Sequence, residues 1–348
     1  MTLTQLGWNS IYETAWNGAD RGSNFPARVT EMHRDVWRLL SPTADYLSKI
    51  SGRLRHRLLR LEDWPAVGDW VETNGDAILD VLPRHSKLSR KAAGKRTDEQ
   101  IVAANLDTVI VMSALDRDFN PRRLERYLTL IWEGGARPVI VLNKADLCDD
   151  VMRLRLEAEA AAPGVPVCVI SAQDGVGLHQ LDPYFRCSDT IAVVGSSGVG
   201  KSTLTNRLCG VDRQSVTPIR GDGRGRHTTT SRSLIVLPSG ALLIDTPGMR
   251  EVQLWATEEH LNSAFDEIER LSPQCRFRDC RHVTEPGCAV LSALKNGDVS
   301  QDRYDSFMKL RKELAFLERK QDLSAELELK RKWKRIHKAH KAMKKMRP

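Results

Sequence analysis

Polar and apolar residues alternate over roughly residues 24–96, as in Arg28-Val29-Thr30-Glu31 and Asp69-Trp70-Val71-Glu72. A period of two puts one face of each strand on a core and the other in water. Turn signals at Pro65, Gly68 and Asn74-Gly75 cut the segment into short strands, which predicts a small all-β domain. Further along, the pattern changes to unbroken apolar runs at Arg137 to Leu142, Val165 to Ile170, Ile191 to Val194 and Leu242 to Ile244. These read as buried strands of an open α/β sheet, with helices at Ser202 to Cys209 and Glu258 to Leu271. Leu310, Leu314 and Leu317 recur at helical spacing near Phe307 and Phe316, forming a packing stripe. Trp8, Tyr12 and Trp16 are spaced by four and predict a short docking helix at an end of the chain where order is uncommon. The polar, basic stretch Lys91 to Asp98 reads as a linker between the β domain and the sheet domain.

One apolar run leads into Gly195-Ser196-Ser197-Gly198-Val199-Gly200-Lys201-Ser202, with Thr203 next. A strand, a glycine turn and a helix start is the context in which backbone N–H groups converge on phosphates and the helix dipole favours an anion. In such a loop Lys201 reaches the β- and γ-phosphates and the Ser202 hydroxyl ligates Mg²⁺. Leu242-Leu243-Ile244 ends in Asp245-Thr246-Pro247-Gly248, where Asp245 would support the Mg²⁺ shell and the Gly248 N–H would meet the γ-phosphate. Between them, the glycine-rich segment Gly221 to Thr230 reads as a switch. Thr229, or its neighbour Thr228, would complete the Mg²⁺ coordination.

The run at residues 137–142 ends in Asn143-Lys144-Ala145-Asp146, at the carboxyl end of a strand, where open α/β sheets bind ligands. A buried Asp146 carboxylate can accept from the guanine N1–H and N2 amino group. Adenine lacks that pair of donors, and an unpaired carboxylate would cost several kcal/mol, on the order of what excludes ATP. Asn143 would bridge neighbouring backbone and base, and the Lys144 stem would lie over the base. Ser171-Ala172-Gln173 follows the next strand, where backbone can support guanine O6.

The base-reading elements precede the phosphate loop, the reverse of the usual order. In this order the motifs Asn143-Lys144-Ala145-Asp146, Gly195 to Thr203, Gly225-Arg226-His227-Thr228-Thr229 and Asp245-Thr246-Pro247-Gly248 resemble the circularly permuted GTPases, most closely the ribosome small subunit-dependent GTPase A family. The resemblance spans roughly residues 24–318. It implies a multidomain α/β protein: an N-terminal all-β OB-fold barrel, a circularly permuted P-loop GTPase domain, and a C-terminal zinc-binding and helical domain. The corresponding boundaries are an extension at 1–23, the barrel at 24–96, the GTPase at 97–268, the zinc domain at 269–318 and a basic tail at 319–348. It also implies GTP hydrolysis stimulated by the small ribosomal subunit, with that subunit, its rRNA and GTP or GDP as partners.

Cys275, Cys280, His282 and Cys288 form C-x4-C-x-H-x5-C, a ligand set for one structural Zn²⁺ with no position left for water. No signal peptide or transmembrane run is evident, so a cytoplasmic chain with reduced thiols and no membrane partner is expected; a monomer is expected as well. A segment so poor in apolar residues would draw much of its folding free energy from the metal. Formal net charge is +8, yet Lys330 to Arg347 holds ten Lys and Arg and no acid, so the rest of the chain is close to neutral. The tail reads as a nucleic-acid arm, with Trp333 available for stacking. Two further basic clusters, Arg53 to Arg60 and Arg84 to Arg90, are candidate RNA contacts.

Many GTPases place a glutamine after the switch glycine to hold the attacking water, but here Met249 stands there. Slow intrinsic hydrolysis is expected, with His227 as the internal candidate for orienting water. A second reading keeps the zinc and RNA elements and makes the guanine nucleotide a structural ligand only.

Overall fold

A computed structural model describes residues 1–91, 99–116, 119–210, 232–245, 265–312 and 315. The alternating segment folds as β1 (Phe25–His33), β2 (Val36–Leu40), β3 (Asp45–Ile50), β4 (Trp70–Thr73) and β5 (Ala77–Val81). Their order is β1-β2-β3-β5-β4, and β4 pairs back onto β1 from Phe25↔Thr73 to Arg28↔Trp70, closing a barrel. Only β3 and β5 run parallel. Ala27, Val29, Trp37, Leu39, Val71 and Ile78 fill the interior, as the period of two requires. The helix α1 (Ser10–Asn17) docks on this barrel: Trp8 meets Trp70 edge-on with centroids 4.8 Å apart, and Tyr12 is buried beside them. The spacing of Trp8 and Tyr12 thus encodes a tethered end.

A hairpin of β6 (Lys87–Lys91) and β7 (Glu99–Ala104) follows. Lys91 pairs with Glu99, so the stretch expected to link two domains instead joins two strands of one hairpin. The second sheet is built from β8 (Thr108–Ala114), β9 (Arg137–Asn143), β10 (Val167–Val169), β11 (Thr190–Gly195), β12 (Ser233–Val236) and β13 (Leu242–Asp245). Its order is β10-β9-β8-β11-β13-β12, parallel except for β12. Every residue of β8 is buried, because helices cover both faces. Val109 and Val111 join the core with α3 (Pro121–Glu133) and α4 (Val151–Ala161), whereas Ile110 and Met112 face the side of α5 (Lys201–Cys209).

After the sheet come α6 (Asp266–Leu271), the cysteine-bearing turns, α7 (Ala289–Asn296) and a helix over residues 301–312, here α8. Phe265 and Phe307 meet edge-to-face at 5.5 Å, so Phe307 and Leu310 of the apolar stripe are core, in the same cluster as α3. Leu314, Phe316, Leu317, residues 258–264 and the basic tail lie outside the described residues.

The barrel and the sheet meet directly. β1 pairs with β12 at Glu31↔Ser233, which makes one 11-stranded sheet of both. Arg28, fully buried, donates to Gly68 O at 3.1 Å, Asn105 O at 3.3 Å and Thr190 Oγ1 at 3.0 Å, and also to Leu6 O. One side chain thereby joins the N-terminal segment, the barrel and the strand that leads to the phosphate loop.

Candidate nucleotide site and metal centre

The phosphate loop leaves the end of β11 and enters α5. Its glycines are required by geometry. Gly195 has φ 148°, and a Cβ there would stand 2.2 Å from Met112 O; Gly200 has φ 101°, and its Cβ would stand 2.2 Å from Asn143 Nδ2. Lys201 Nζ donates to Gly195 O at 2.8 Å and Ser196 O at 2.6 Å, which holds the ammonium against the loop. Ser196, Ser197, Gly198, Ser202 and Thr203 are half-buried, and Val199 is buried. Asp245 ends β13, in register with Val193 of β11.

Asn143 ends β9, next to β8, which itself borders β11. Its Nδ2 donates to Val199 O at 2.7 Å, and its Oδ1 accepts from Ala172 N at 2.9 Å. The side chain is therefore spent between the phosphate loop and the base-support loop, with both of its polar atoms on backbone groups. Lys144 takes a left-handed φ of 65°, and its Nζ donates to Asp116 Oδ2 at 2.8 Å. Ala145 N donates to Ile170 O at 3.2 Å, which fixes the short turn holding Asp146 beside β10. Asp146 itself is exposed, contrary to the buried carboxylate expected from the sequence. Water can pair it, so a desolvation penalty at this carboxylate would arise only with a ligand over it.

Ser171 Oγ donates to Asp174 Oδ2 at 3.0 Å and accepts from Asp174 N at 3.2 Å, a local turn that shapes the support loop. Arg207 of α5 donates to Ala172 O at 3.2 Å and to Gln173 O, so the phosphate helix braces the base side. Asp116, Arg123 and Arg207 were missed by sequence reasoning, since each is joined to its partner only by the fold. Thr228, Thr229, His227, Gly248 and Met249 lie outside the described residues.

Cys275, Cys280, His282 and Cys288 place one ligand atom each within 4.8 Å of one another. The separations are 3.6 Å for Cys275 Sγ to His282 Nδ1, 3.4 Å for His282 Nδ1 to Cys288 Sγ and 3.9 Å for Cys275 Sγ to Cys288 Sγ. A tetrahedron with Zn–S near 2.3 Å and Zn–N near 2.0 Å has edges of about 3.5–3.8 Å, so the donor set fits Zn²⁺. All the cysteines are free thiols. His282 adopts a left-handed φ of 59°, and its Nε2 lies 2.9 Å from Ser272 Oγ, which fixes the ring. Burial holds the imidazole below its ordinary pKa, hence in the neutral form that binds a metal. The Tyr304 hydroxyl donates to His282 O at 2.5 Å and ties the centre to α8.

The basic clusters differ in kind. Arg84 forms a bidentate pair with Asp69 at 2.8 and 2.7 Å and also donates to Glu62 O and Trp64 O, while Lys87 pairs with Glu99 at 2.8 Å. The basic residues at 84–90 are half-buried, and Arg84 holds the barrel on the segment that enters the hairpin. Arg53, Arg55, His56, Arg57 and Arg60, on and after the helix α2 (Gly52–Arg57), are exposed.

The family model of the RsgA GTPase matches residues 81–255. The small ribosomal subunit biogenesis GTPase RsgA of Syntrophotalea carbinolica is 41% identical over 97% of this chain and 96% of its own length. That of Methanosarcina acetivorans is 44% identical over 93% and 88%. Among solved structures, YjeQ from Thermotoga maritima superposes with a TM-score of 0.63 at 28% identity, over 84% of this chain and 99% of that one. YloQ, described as a circularly permuted GTPase, gives a TM-score of 0.59 at 25% identity over 85% and 96%. With Asn143 at the end of β9 ahead of the glycine-rich loop that follows β11, this chain belongs to the RsgA GTPase family.

Proposed function

We propose that the chain hydrolyses GTP on the small ribosomal subunit during late subunit maturation, slowly alone and faster on contact with the subunit. The observation that carries the nucleotide assignment is Asn143, bonded at once to Val199 of the phosphate loop and Ala172 of the support loop. It supports a single site for base and phosphates, with Asn143, Lys144, Ala145, Asp146, Ser171 and Ala172 on the base. Gly195 to Thr203 hold the phosphates. Ser202 and Thr229 would hold Mg²⁺, which neutralises phosphate charge, with Asp245 behind it and Gly248 toward the γ-phosphate. His227 orients the attacking water in this reading.

The partner assignment draws on the names of the relatives and on the exposed arginines after Gly52. The zinc centre is structural; the barrel begins at 24, the GTPase runs to 268 and the zinc domain covers 269–318, with the hairpin β6–β7 spanning the barrel–GTPase boundary expected at 96/97 and a basic tail that binds rRNA. No described helix is long and apolar enough to cross a membrane. A cytoplasmic monomer is the form proposed.

The test is GTP turnover with purified small subunits, large subunits or neither, for the native chain and for Lys201→Ala. Stimulation confined to small subunits and lost with Lys201→Ala is the expected result. Guanine nucleotide binding without turnover under every condition would favour a structural ligand instead. An unchanged stimulated rate in His227→Ala would take that residue out of the mechanism.

A further inference from the structure

Arg123 stands in the first turn of α3. Asn120 sets it there by capping the helix, its Oδ1 accepting from Arg123 N at 3.3 Å, and Pro121 opens the helix. From that turn the guanidinium donates through Nη1 to Ser196 Oγ. Ser196 is the second residue of the phosphate loop, and its carbonyl accepts from Lys201 Nζ at 2.6 Å. One residue of the loop is thus gripped on its side chain by Arg123 and on its carbonyl by the lysine of the phosphate motif. A shift of Ser196 would carry with it an acceptor that fixes the ammonium.

The opposite side of the same helical turn is fastened to the C-terminal module. Arg122 Nη2 donates to Asp302 Oδ1 at 2.7 Å, and Arg303 Nη1 donates to Glu125 Oε1 at 2.7 Å. Glu125 and Arg303 are 4% and 8% exposed, and Arg303 also reaches Glu267 and Ala161 O and lies 4.4 Å over the Phe265 ring. The pair is buried, so removing either partner would leave the other's charge uncompensated. The turn that offers Arg123 to the phosphate loop is therefore held from behind.

We propose that Arg123 is a positioning residue for GTP hydrolysis: through Ser196 it fixes a carbonyl that orients Lys201 toward the γ-phosphate. The inference rests on the GTPase reading above. Lys201 shares the β-phosphate with the backbone N–H groups of the loop beyond Ser196, whereas its reach to the γ-phosphate is made for the reaction, so the effect falls on the chemical step more than on GDP binding.

The experiment compares the full chain with Arg123→Ala, Arg123→Lys, Ser196→Ala and the double variant Arg123→Ala/Ser196→Ala, reading kcat with small subunits and the Kd for GDP. For Arg123→Ala, kcat is expected to fall about 10- to 100-fold, the scale of an ångström-sized misplacement. Its Kd for GDP is expected to rise clearly less than kcat falls, because Lys201 is one of several groups on the β-phosphate and the loop backbone N–H groups beyond Ser196 stay in place. Ser196→Ala should act in the same direction, and the double variant should be no slower than Arg123→Ala within about twofold. Arg123→Lys, keeping one donor, should recover part of the rate. A wild-type kcat in Arg123→Ala, equal losses in kcat and GDP affinity, or additive losses in the double variant would each overturn the proposal. Absence of turnover in the native chain would remove the GTPase reading and this inference together, whereas native turnover with an unaffected Arg123→Ala removes the inference alone.

Discussion

The side-chain amide of Asn143 donates to the carbonyl of Val199 across 56 residues of chain, at 2.7 Å. Its oxygen is committed as well, to Ala172 N. Replacement by Ala leaves two buried backbone groups without partners, a loss of about 1–3 kcal/mol. If the bridge sets the spacing of the two loops, Asn143→Ala should weaken GDP binding about tenfold or more. Titration with a fluorescent GDP analogue checks this; unchanged affinity would mean that the loops keep their spacing without it.

Asp146 is exposed at the end of its turn, open to a base from solvent. A carboxylate there accepts twice and donates nothing. Asp146→Asn should therefore lose guanine nucleotide by about 10²-fold or more and gain for xanthine nucleotide, whose ring presents an acceptor where guanine presents an amino group. Competition between GDP and XDP measures the exchange. Retained guanine preference would place the base elsewhere.

The Tyr12 hydroxyl and His85 Nδ1 lie 2.6 Å apart beneath α1. Burial raises the Tyr12 pKa, so the phenol stays protonated and donates to a neutral imidazole. Burial also lowers the His85 pKa from the ordinary 6.5. The unfolded chain then binds more protons than the folded one, so this pair's contribution is present above about pH 6.5 and is lost as pH falls toward the folded value. Tryptophan emission from Trp8 and Trp70 should shift on acidification from pH 7 to 5, and His85→Gln should flatten that shift. An identical profile in the variant would assign the change to another group.

Removing Arg28 would leave Gly68 O, Asn105 O, Leu6 O and Thr190 Oγ1 with one partner fewer. Arg28→Met is expected to lower unfolding stability by about 2–4 kcal/mol, from the loss of several buried bonds offset by an easier desolvation. Urea unfolding followed by tryptophan emission measures it. A loss below about 0.5 kcal/mol, the range of neutral surface changes, would show that water replaces the guanidinium.

The four candidate metal ligands are held by short turns between α6 and α7, and Tyr304 ties His282 to α8. Metal removal by a strong chelator should release Zn²⁺ in a ratio of one per chain and expose the thiols of Cys275, Cys280 and Cys288 to a thiol reagent. Counting reactive thiols before and after chelation is the measurement. Equal reactivity in both states would argue against a closed metal site.

Much of the site was legible in the sequence because its parts are local. A glycine that must take positive φ, as at Gly200, or ligands a few residues apart, as at Cys275 to Cys288, leave a mark in a short window. The closed barrel was legible as alternation, though its closure by β4 on β1 was not. Pairs set by the fold leave no such mark: Arg123 and Ser196 lie 73 residues apart, and Arg28 and Thr190 lie 162 apart. Charge alone says nothing of pairing at Arg84, whose carboxylate partner Asp69 stands 15 residues upstream. Asp146 misled, since a motif states which atoms meet a base and says nothing of their exposure without one.

A sheet that ends in an unpaired strand offers its backbone to any other chain that can add to it. In this protein the pairing of Glu31 with Ser233 puts the barrel against β12, where such an edge would otherwise begin. The opposite end of the sheet is β10, three residues long, too short to template a neighbour. The barrel thus covers a sheet edge at β12, a duty separate from anything it binds.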